Sequence, residues 1–333
     1  MELFETLSRL TAAHGVSGRE EEVRALLAQL AQPYCDEVRT DVMGNLICRR
    51  AGEGPRVMLS AHMDTAGLVV SHIQEEGYLR FSSVGGLTAR QLRGQSVRFA
   101  NGITGVVDAA TEKGEKEPAL SDLYLDIGAD SRSEAEKLVS LGDTAAFHVP
   151  ARQQGERVLS SGLDDRAGCL ALLLVMEALK SAPNDLYFVF TAQSRVGLRG
   201  VQTAAYAVDP AWAVVVSATA ADDTPQADHR GSCALGRGAG VKVMDGSVIC
   251  HPRAVELLDR LAEKHEIPVQ HEVYKAGRSD AGAVYTTRVG VITGGVSFPV
   301  RHLGAPVEIA DLNDLRRCVQ LLQVFAESEL SDL

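Results

Sequence analysis

The sequence predicts an α/β fold in which helices flank a mostly parallel sheet, with a small β-barrel-like domain inserted in its middle. At both ends of the 333-residue chain, apolar runs typical of buried strands alternate with helical periods. Between about residues 67 and 158, short alternating segments separated by glycines replace the helices. We therefore expect a discontinuous α/β domain, residues 1–66 and 159–333, that encloses a β-rich domain, residues 67–158.

Two helices are predicted at the start of the chain. Leu3, Phe4, Leu7 and Leu10 recur at helical spacing, and a second helical period covers 20–30. Two short strands, "DEVRTD" and "NLICRR", then flank the turn "MGN". The buried strand "RVMLSAHMD" follows and ends in polar residues.

Strand-like segments dominate the inserted region. Five of them, "LVVSHI", "YLRFSSV", "QSVRFA", "ITGVVDA" and "DLYLDIG", alternate apolar and polar side chains. Only "SRSEAEKLVSL" has a helical period there. This pattern favours a small barrel.

From "LSSGLDDRAG" onward, helices and strands alternate again. Helices are predicted over 166–180, near 198–207, over 252–265, near 279–287 and from 311. The strands between them are "LYFVF", "WAVVVSA", "VQHEVY" and "VGVITGG". Such alternation predicts a sheet with helices on both faces.

Charge and composition exclude several classes of protein. The net charge of -11 disfavours binding to nucleic acid, and no apolar run approaches the ~18 residues that a membrane span needs. The N-terminus carries Glu2 and Glu5 and lacks the pattern of a signal peptide. Six cysteines without a C-x-x-C pair are typical of reduced thiols. We therefore expect a cytoplasmic protein.

Polar residues at two strand ends and two predicted helix starts are candidates for a site. His62 and Asp64, in "SAHMDTAG", lie at i and i+2 and share a face of an extended chain. A ligand histidine commonly needs a carboxylate partner, although a structural histidine fits equally well. Asp164 and Asp165, in "SGLDDRAG", precede a helix, so an N-cap role is the simpler interpretation for one of them.

Three further stretches complete the candidates. Ser194 and Arg195 lie in "TAQSRVGLRG", just after the strand "LYFVF". Ser279 and Asp280, in "GRSDAGAV", precede a predicted helix, so capping is the simpler interpretation there. His302 lies in "FPVRHLGAPVE" near the C-terminus, where a lone histidine is more often structural than catalytic.

Taken in order, these five stretches resemble family forty-two of the metallopeptidases. This family comprises glutamyl or deblocking aminopeptidases that form tetrahedral dodecamers, some once misnamed cellulase M. The resemblance covers essentially the whole chain, including "VGGLTARQLRGQSV" and "EIPVQHEVYKAGRSDAGAV". It implies a zinc-aminopeptidase-like fold, an inserted domain that serves oligomerisation, and two zinc or cobalt ions bridged by an aspartate and a water.

Carried over position by position, the resemblance implies a degenerate metal site. His62 and Asp164 match metal ligands, Asp164 being the bridging one, and Asp64 matches the aspartate that orients the histidine. Ser194 stands at the position of the general-base glutamate. The positions of the remaining metal ligands hold Arg195, Ser217 and Gly304. Catalytic zinc usually takes three protein ligands, so we expect no bound metal and no catalysis.

An active enzyme with a rewired site is the alternative. It would hold zinc or cobalt with His62, Asp164 and His302. In an extended segment, His302 lies about 6–7 Å from the Gly304 position, and its side chain would have to span that distance to replace the missing ligand. Asp223 and His229 are less suitable as relocated ligands. In the inactive interpretation, Arg195 occupies the vacated cation site and pairs with Asp164.

The expected partners follow from the same resemblance. We expect self-association, with a dodecamer as the first hypothesis, or assembly with an active paralogue. The role of this non-catalytic chain would be that of a scaffold, a regulatory partner, or a binder of peptides or small molecules. Nucleic acid and membranes are not expected partners.

Overall fold

The fold of the chain comes from a computed structural model that describes residues 1–110, 118–225 and 233–330. Its helices are α1 (Leu3–Ala12), α2 (Glu21–Ala31), α3 (Ala89–Leu92), α4 (Arg132–Leu138), α5 (Leu163–Ala178), α6 (Arg199–Val208), α7 (Pro252–Lys264), α8 (Ala281–Tyr285) and α9 (Leu312–Ala326). Short 3-10 turns cover Gln32–Tyr34, Leu120–Asp122 and Ser194–Val196.

The main sheet is built from both ends of the chain. Its strands are β1 (Glu37–Thr40), β2 (Leu46–Arg50), β3 (Arg56–His62), β10 (Arg152–Gln154), β11 (Arg157–Ser160), β12 (Asp185–Thr191), β13 (Trp212–Ala220), β14 (Ala239–Met244), β15 (Val269–Val273), β16 (Ile292–Arg301) and β17 (Glu308–Asp311). They lie in the order β1-β2-β12-β3-β13-β16-β17-β11-β10, with β14 and β15 attached beside β16. The central strands β12, β3, β13 and β16 are mutually parallel, as the sequence predicts.

A closed antiparallel barrel interrupts this sheet between β3 and β10. Its strands are β4 (Gly67–Ile73), β5 (Leu79–Val84), β6 (Ser96–Phe99), β7 (Thr104–Ala109), β8 (Leu123–Asp126) and β9 (Thr144–Phe147). The barrel has a core of its own, in which Leu68, Leu79, Val97 and Leu125 are buried. The predicted segment 67–158 encloses this barrel, and β10 within it joins the main sheet.

Helices cover both faces of the main sheet because its central strands are apolar on both sides. On β3, Val57 and Leu59 face the larger core, formed with α1, α2, α5 and α9. Met58 faces the opposite core, formed with α6 and α8. Burial of both faces explains why these strands read as continuous apolar runs.

Most predicted elements are confirmed, with differences at their ends. The helix expected near 279–287 is the short α8. The span of α5 includes Leu163, but Asp164 and Asp165 have non-helical backbone angles, so the regular helix begins at Arg166, as predicted. The barrel strand β9 and the one-turn helix α3 carry too weak a period to be predicted. No helix in the described ranges is long and apolar enough to cross a bilayer.

Candidate functional site

The carboxyl ends of the parallel strands converge at one edge of the sheet, where the sequence predicts the site. His62 ends β3 and lies opposite Thr191, the last residue of β12, so the turn that carries Ser194 begins beside the histidine. Ser217 lies on the next strand, β13, opposite Ser297 of β16. Parallel pairing thus brings together residues that are far apart in sequence.

At the centre of this edge lies a cluster of His62, Asp164 and Arg195. Arg195 Nη2 donates to Asp164 Oδ2 at 2.6 Å and to the Asp164 carbonyl oxygen at 3.1 Å. On the other side of the carboxylate, His62 Nε2 is 3.2 Å from Asp164 Oδ1. The predicted Arg195–Asp164 ion pair is therefore confirmed, and the pair is largely buried, with side-chain exposures of 18% and 11%.

The charges of the cluster stabilise one another. Burial alone would raise the pKa of Asp164, but Arg195 and then His62 hold it below its ordinary value. Burial alone would lower the pKa of His62, yet Asp164 and Asp64 raise it well above its ordinary value. The cluster is thus a buried network in which Asp164 bonds both the Arg195 guanidinium and the His62 imidazole.

Asp64 lies behind His62 and is fully buried. Its Oδ1 is 3.5 Å from His62 Nδ1, while its two oxygens accept the backbone N–H groups of Ser194 and Arg195 at 2.9 Å each. Ser17 Oγ donates to the same carboxylate at 2.5 Å. Burial opposes ionisation, but His62 and these donors lower the pKa of Asp64 to about 2. Asp64 therefore positions both the histidine and the turn that carries Arg195.

Ser194 is directed toward Asp280 rather than toward His62. Ser194 Oγ donates to Asp280 Oδ1 at 2.8 Å, and Thr191 Oγ1 donates to Asp280 Oδ2 at 2.6 Å. Asp280 makes no capping bond to α8, so its predicted role as a cap is wrong. The backbone at this position has already turned into the helical region, and the carboxylate instead satisfies two buried hydroxyls.

The capping interpretation of Asp164 and Asp165 is also wrong. Gly162 is the N-cap of α5, and neither aspartate caps the helix. Asp165 Oδ2 accepts the backbone N–H of His62 at 3.3 Å, while its Oδ1 has no partner in the part of the chain that the structure describes. Burial raises the pKa of Asp165 well above its ordinary value. The two carboxylates lie on either side of a cis peptide bond and reach different partners.

The remaining family positions offer no metal ligand. Ser217 is buried, and its Oγ has no partner among the described residues. Gly304 adopts φ +77° in a turn, and its N–H donates to Glu308 Oε1 at 2.9 Å. His302 is exposed and does not line the cavities beside the cluster. The rewired ligand set of His62, Asp164 and His302 is therefore not assembled.

These donors do not fit a dinuclear metal centre. Within the described part of the chain, no group of three or more His, Cys, Asp or Glu side chains is arranged to hold a metal ion. The position opposite Asp164 is occupied by a guanidinium, which is always cationic and has no lone pair to offer a metal. Asp223 pairs with Arg301 through two bonds of 2.8 and 2.7 Å, and His229 lies outside the described residues.

Sequence reasoning missed two sets of buried charges near the site. Glu308 accepts the Asp164 N–H at 2.9 Å as well as that of Gly304, and burial raises its pKa to about 7. On β14 and β15, buried Lys242 bonds Glu272 and lies 3.4 Å from Asp245. The signal for the second set was a charged residue within an apolar strand, "GVKVM", which is rare unless paired.

Two cavities adjoin the cluster. The larger, about 420 Å³, lies on the Ser217 side and extends toward Lys242 and Glu272. The smaller, about 30 Å³, lies between the barrel and the sheet domain beside Glu308. The larger cavity is of the size that small-molecule ligands occupy in proteins.

Comparison with known proteins identifies relatives along the whole chain. Residues 44–321 match the family model described as M42 glutamyl aminopeptidase. The chain is 43% identical over 323 residues to a protein of Acetivibrio thermocellus, covering 96% of this chain and 97% of that one.

Solved structures give the same result. The aminopeptidase APDkam598 from the archaeon Desulfurococcus kamchatkensis superposes with a TM-score of 0.95 at 36% identity, covering 98% of this chain and 94% of that one. The TET1 peptidase of Pyrococcus horikoshii, described as able to assemble into a tetrahedron or a large octahedral shell, gives a TM-score of 0.89 at 31% identity, covering 98% and 99%.

Proposed function

We propose that this chain, which belongs to the M42 glutamyl aminopeptidase family, keeps the family's architecture but binds no catalytic metal and hydrolyses no peptide bond. Its function is then that of a non-catalytic scaffold or regulatory subunit with a ligand-binding cleft. The roles of His62, Asp164, Arg195, Ser217 and Gly304 as kept or lost ligand positions are part of this proposal.

The observation that carries the proposal is the Arg195–Asp164 ion pair. A divalent metal bound to Asp164 would lie close to the guanidinium. A dication and a single positive charge roughly 4 Å apart repel by about 8 kcal/mol at an effective dielectric of ~20. Arg195 is held by its backbone N–H on Asp64 and by its side chain on Asp164. Displacing it would leave a buried carboxylate without its cation.

The residue at the position that the resemblance assigns to the general base, Ser194, is also unsuited to activating a hydrolytic water. When bound, paired metals would polarise the scissile carbonyl and lower the pKa of the attacking water. A glutamate would accept the proton of that water, and Ser194 cannot do so without a strong base of its own. Its hydroxyl is already committed to Asp280, which also accepts a bond from Thr191.

Peptidase assays together with elemental analysis test the proposal. We expect purified protein to contain no stoichiometric zinc or cobalt, and to release no N-terminal residue from a panel of short peptides with either metal added. Loss of a general base alone lowers rates roughly 10²–10⁴-fold. Turnover that a chelator abolishes would show that the proposal is wrong.

A repair experiment sharpens this test. The combination Ser194→Glu, Arg195→Glu, Ser217→Asp and Gly304→His is expected to restore divalent-metal binding, whereas Ser217→Asp alone is not. Gly304 has φ +77°, so a histidine there is strained. The triple variant without Gly304→His is therefore the control that separates backbone strain from the contribution of the histidine ligand.

A further inference from the structure

Two of the cysteines, Cys35 and Cys48, lie in contact at one edge of the main sheet. Cys48 is on β2, and Cys35 lies between the 3-10 turn Gln32–Tyr34 and the start of β1. Their thiols are hydrogen-bonded to each other, and Cys35 Sγ also lies 3.9 Å from Met176 Sδ. Cys48 is fully buried, whereas Cys35 is only partly buried, so a reagent in solvent reaches the pair through Cys35.

The two residues that flank Cys35 are bonded to the end of β2. Arg50 Nη1 donates to the Tyr34 carbonyl oxygen at 3.4 Å. On the other side, the Asp36 backbone N–H donates to the carbonyl oxygen of Arg49 at 2.8 Å. Both of these β2 residues directly follow the second cysteine in the sequence, so the hydrogen bonds keep the two thiols together.

The surroundings make one thiol reactive and protect the other. The hydrogen bond from Cys48 lowers the pKa of Cys35, against the effect of its partial burial, and the Arg50 guanidinium acts in the same direction as that bond. By contrast, its hydrogen bond to Cys35 and its burial raise the pKa of the Cys48 thiol. Redox-sensitive cysteines are accessible, have a lowered pKa and lie beside a second thiol. Cys35 has all three features.

Three other cysteines lack these features. Cys169 Sγ donates to a backbone carbonyl oxygen at 3.3 Å, and Cys318 Sγ does so at 3.2 Å. Burial raises the pKa of both thiols well above the ordinary value. Burial also raises the pKa of Cys250 to about 12. Because the thiolate is the reactive form, an oxidant is expected to react at Cys35 before it reacts at these three.

We propose that Cys35 and Cys48 form a peroxide-sensitive pair that closes reversibly to a disulfide. The Cys35 thiolate attacks one oxygen of hydrogen peroxide, and the O–O bond breaks. The sulfur gives up two electrons and becomes a sulfenic acid, while the other oxygen leaves as hydroxide and takes up the proton that the Cys35 thiol lost.

Cys48 completes the reaction. Its sulfur attacks the sulfenic sulfur, the S–O bond breaks, and the departing hydroxide leaves with the Cys48 proton as water. Each disulfide thus consumes one peroxide and yields two waters, and a dithiol reductant returns both thiols. The inference is independent of the proposed function, because neither cysteine lines the two cavities beside the cluster.

Peptide mapping of the full-length protein tests the assignment. The protein is treated with hydrogen peroxide, its remaining thiols are alkylated with iodoacetamide after denaturation, and it is digested with trypsin without reduction. Cys35 lies in the tryptic peptide 25–39 and Cys48 in the peptide 40–49. We expect mass spectrometry to detect these two peptides joined, two hydrogens lighter than their sum, and dithiothreitol to separate them.

Matched variants separate the roles of the two thiols. Cys35→Ala should give no joined peptides and should leave Cys48 reduced, since Cys48 is buried. Cys48→Ala should stop the reaction at the sulfenic acid, which dimedone then traps at Cys35. Cys250→Ala is the control and should form the joined peptides as the wild type does, because Cys250 takes no part in the pair.

Two results would overturn the proposal. One is alkylation of Cys35 and Cys48 to the same extent before and after peroxide treatment of the wild type. The other is a Cys48→Ala variant in which dimedone labels Cys35 no more than it does in the wild type. Metal-dependent peptidase activity would refute the proposed function and leave this inference standing.

Discussion

Arg195 determines the chemistry of the site at the scale of single residues. Its backbone N–H is fixed by Asp64, and its guanidinium bonds both the side chain and the carbonyl oxygen of Asp164. A lone aspartate in this buried cluster would be costly, because an unpaired charge loses its hydration without compensation. Arg195 thus favours the ionised form of Asp164 within this buried cluster.

Removing the guanidinium should therefore destabilise the fold. We expect Arg195→Met to lower the free energy of unfolding by about 2–3 kcal/mol. This loss is smaller than that expected on breaking a fully buried ion pair, because both side chains are slightly exposed and His62 still bonds Asp164. Adding Asp164→Asn to this variant should recover more than about 1 kcal/mol. Urea denaturation of the two single variants and the double variant measures the coupling, and strictly additive effects would contradict the assigned pairing.

At the scale of elements, helix termini hold the loops around the sheet. Asp314, in the first turn of α9, accepts the backbone N–H groups of Gly236 and Gly238 at 2.7 Å each. These bonds tie the start of the last helix to the segment that leads into β14. Burial nevertheless raises the pKa of Asp314 to about 6.

This shift predicts a pH-dependent stability. Because the pKa of Asp314 is higher in the folded state than its ordinary 3.8, its stabilising contribution is complete at low pH and is lost as the pH rises through about 6. Between pH 5 and 8 the wild-type protein should lose about 1 kcal/mol through this group.

Asp314→Asn provides the measurement. An amide cannot accept both glycine N–H groups, so the variant should be less stable than the wild type at either pH. The difference in free energy of unfolding between the wild type and this variant, measured by urea denaturation, should shrink by about 1 kcal/mol between pH 5 and pH 8. The exposed control Asp130→Asn should show no such change. A deficit independent of pH would contradict the raised pKa of Asp314.

For the whole molecule, the barrel is a structural unit that stands apart from the candidate site. Its strands close completely, and its core is separate from those of the sheet domain. The TET1 peptidase of Pyrococcus horikoshii, which this chain resembles along nearly its whole length, is described as forming a tetrahedron or an octahedral shell. The barrel of this chain is thus kept along with the rest of the architecture of that peptidase.

We therefore expect a homo-oligomer larger than a dimer, with twelve subunits as the first hypothesis. Multi-angle light scattering on protein eluting from a sizing column measures the mass directly. Arg195→Lys serves as a control, since a change confined to the cleft should leave the mass unchanged. A stable monomer of 35.5 kDa at micromolar concentration would contradict the expectation.

Sequence reasoning recovered the architecture because hydrophobic period and the succession of helices and strands can be read along the chain. It also predicted the Arg195–Asp164 pair, because the resemblance implies that both residues occupy positions of metal ligands. It failed for Asp280, where the choice between capping a helix and bonding Ser194 depends on packing with a distant strand. It missed Glu308 for the same reason, because its partners lie up to 144 residues away.

The pairing of the barrel's first and last strands has a consequence for how the chain folds. His62 and Asp164 touch across 102 residues of sequence, yet β4 and β9 are neighbours and Gly67 lies opposite Ala146. Once the barrel has closed, the chain that remains to be looped is only about a quarter as long, which lowers the entropic cost of joining the two residues by about 1 kcal/mol. The closed barrel thus holds the two chain segments close together. We expect the barrel to form before the cleft, so that the contact between His62 and Asp164 reports a late stage of folding.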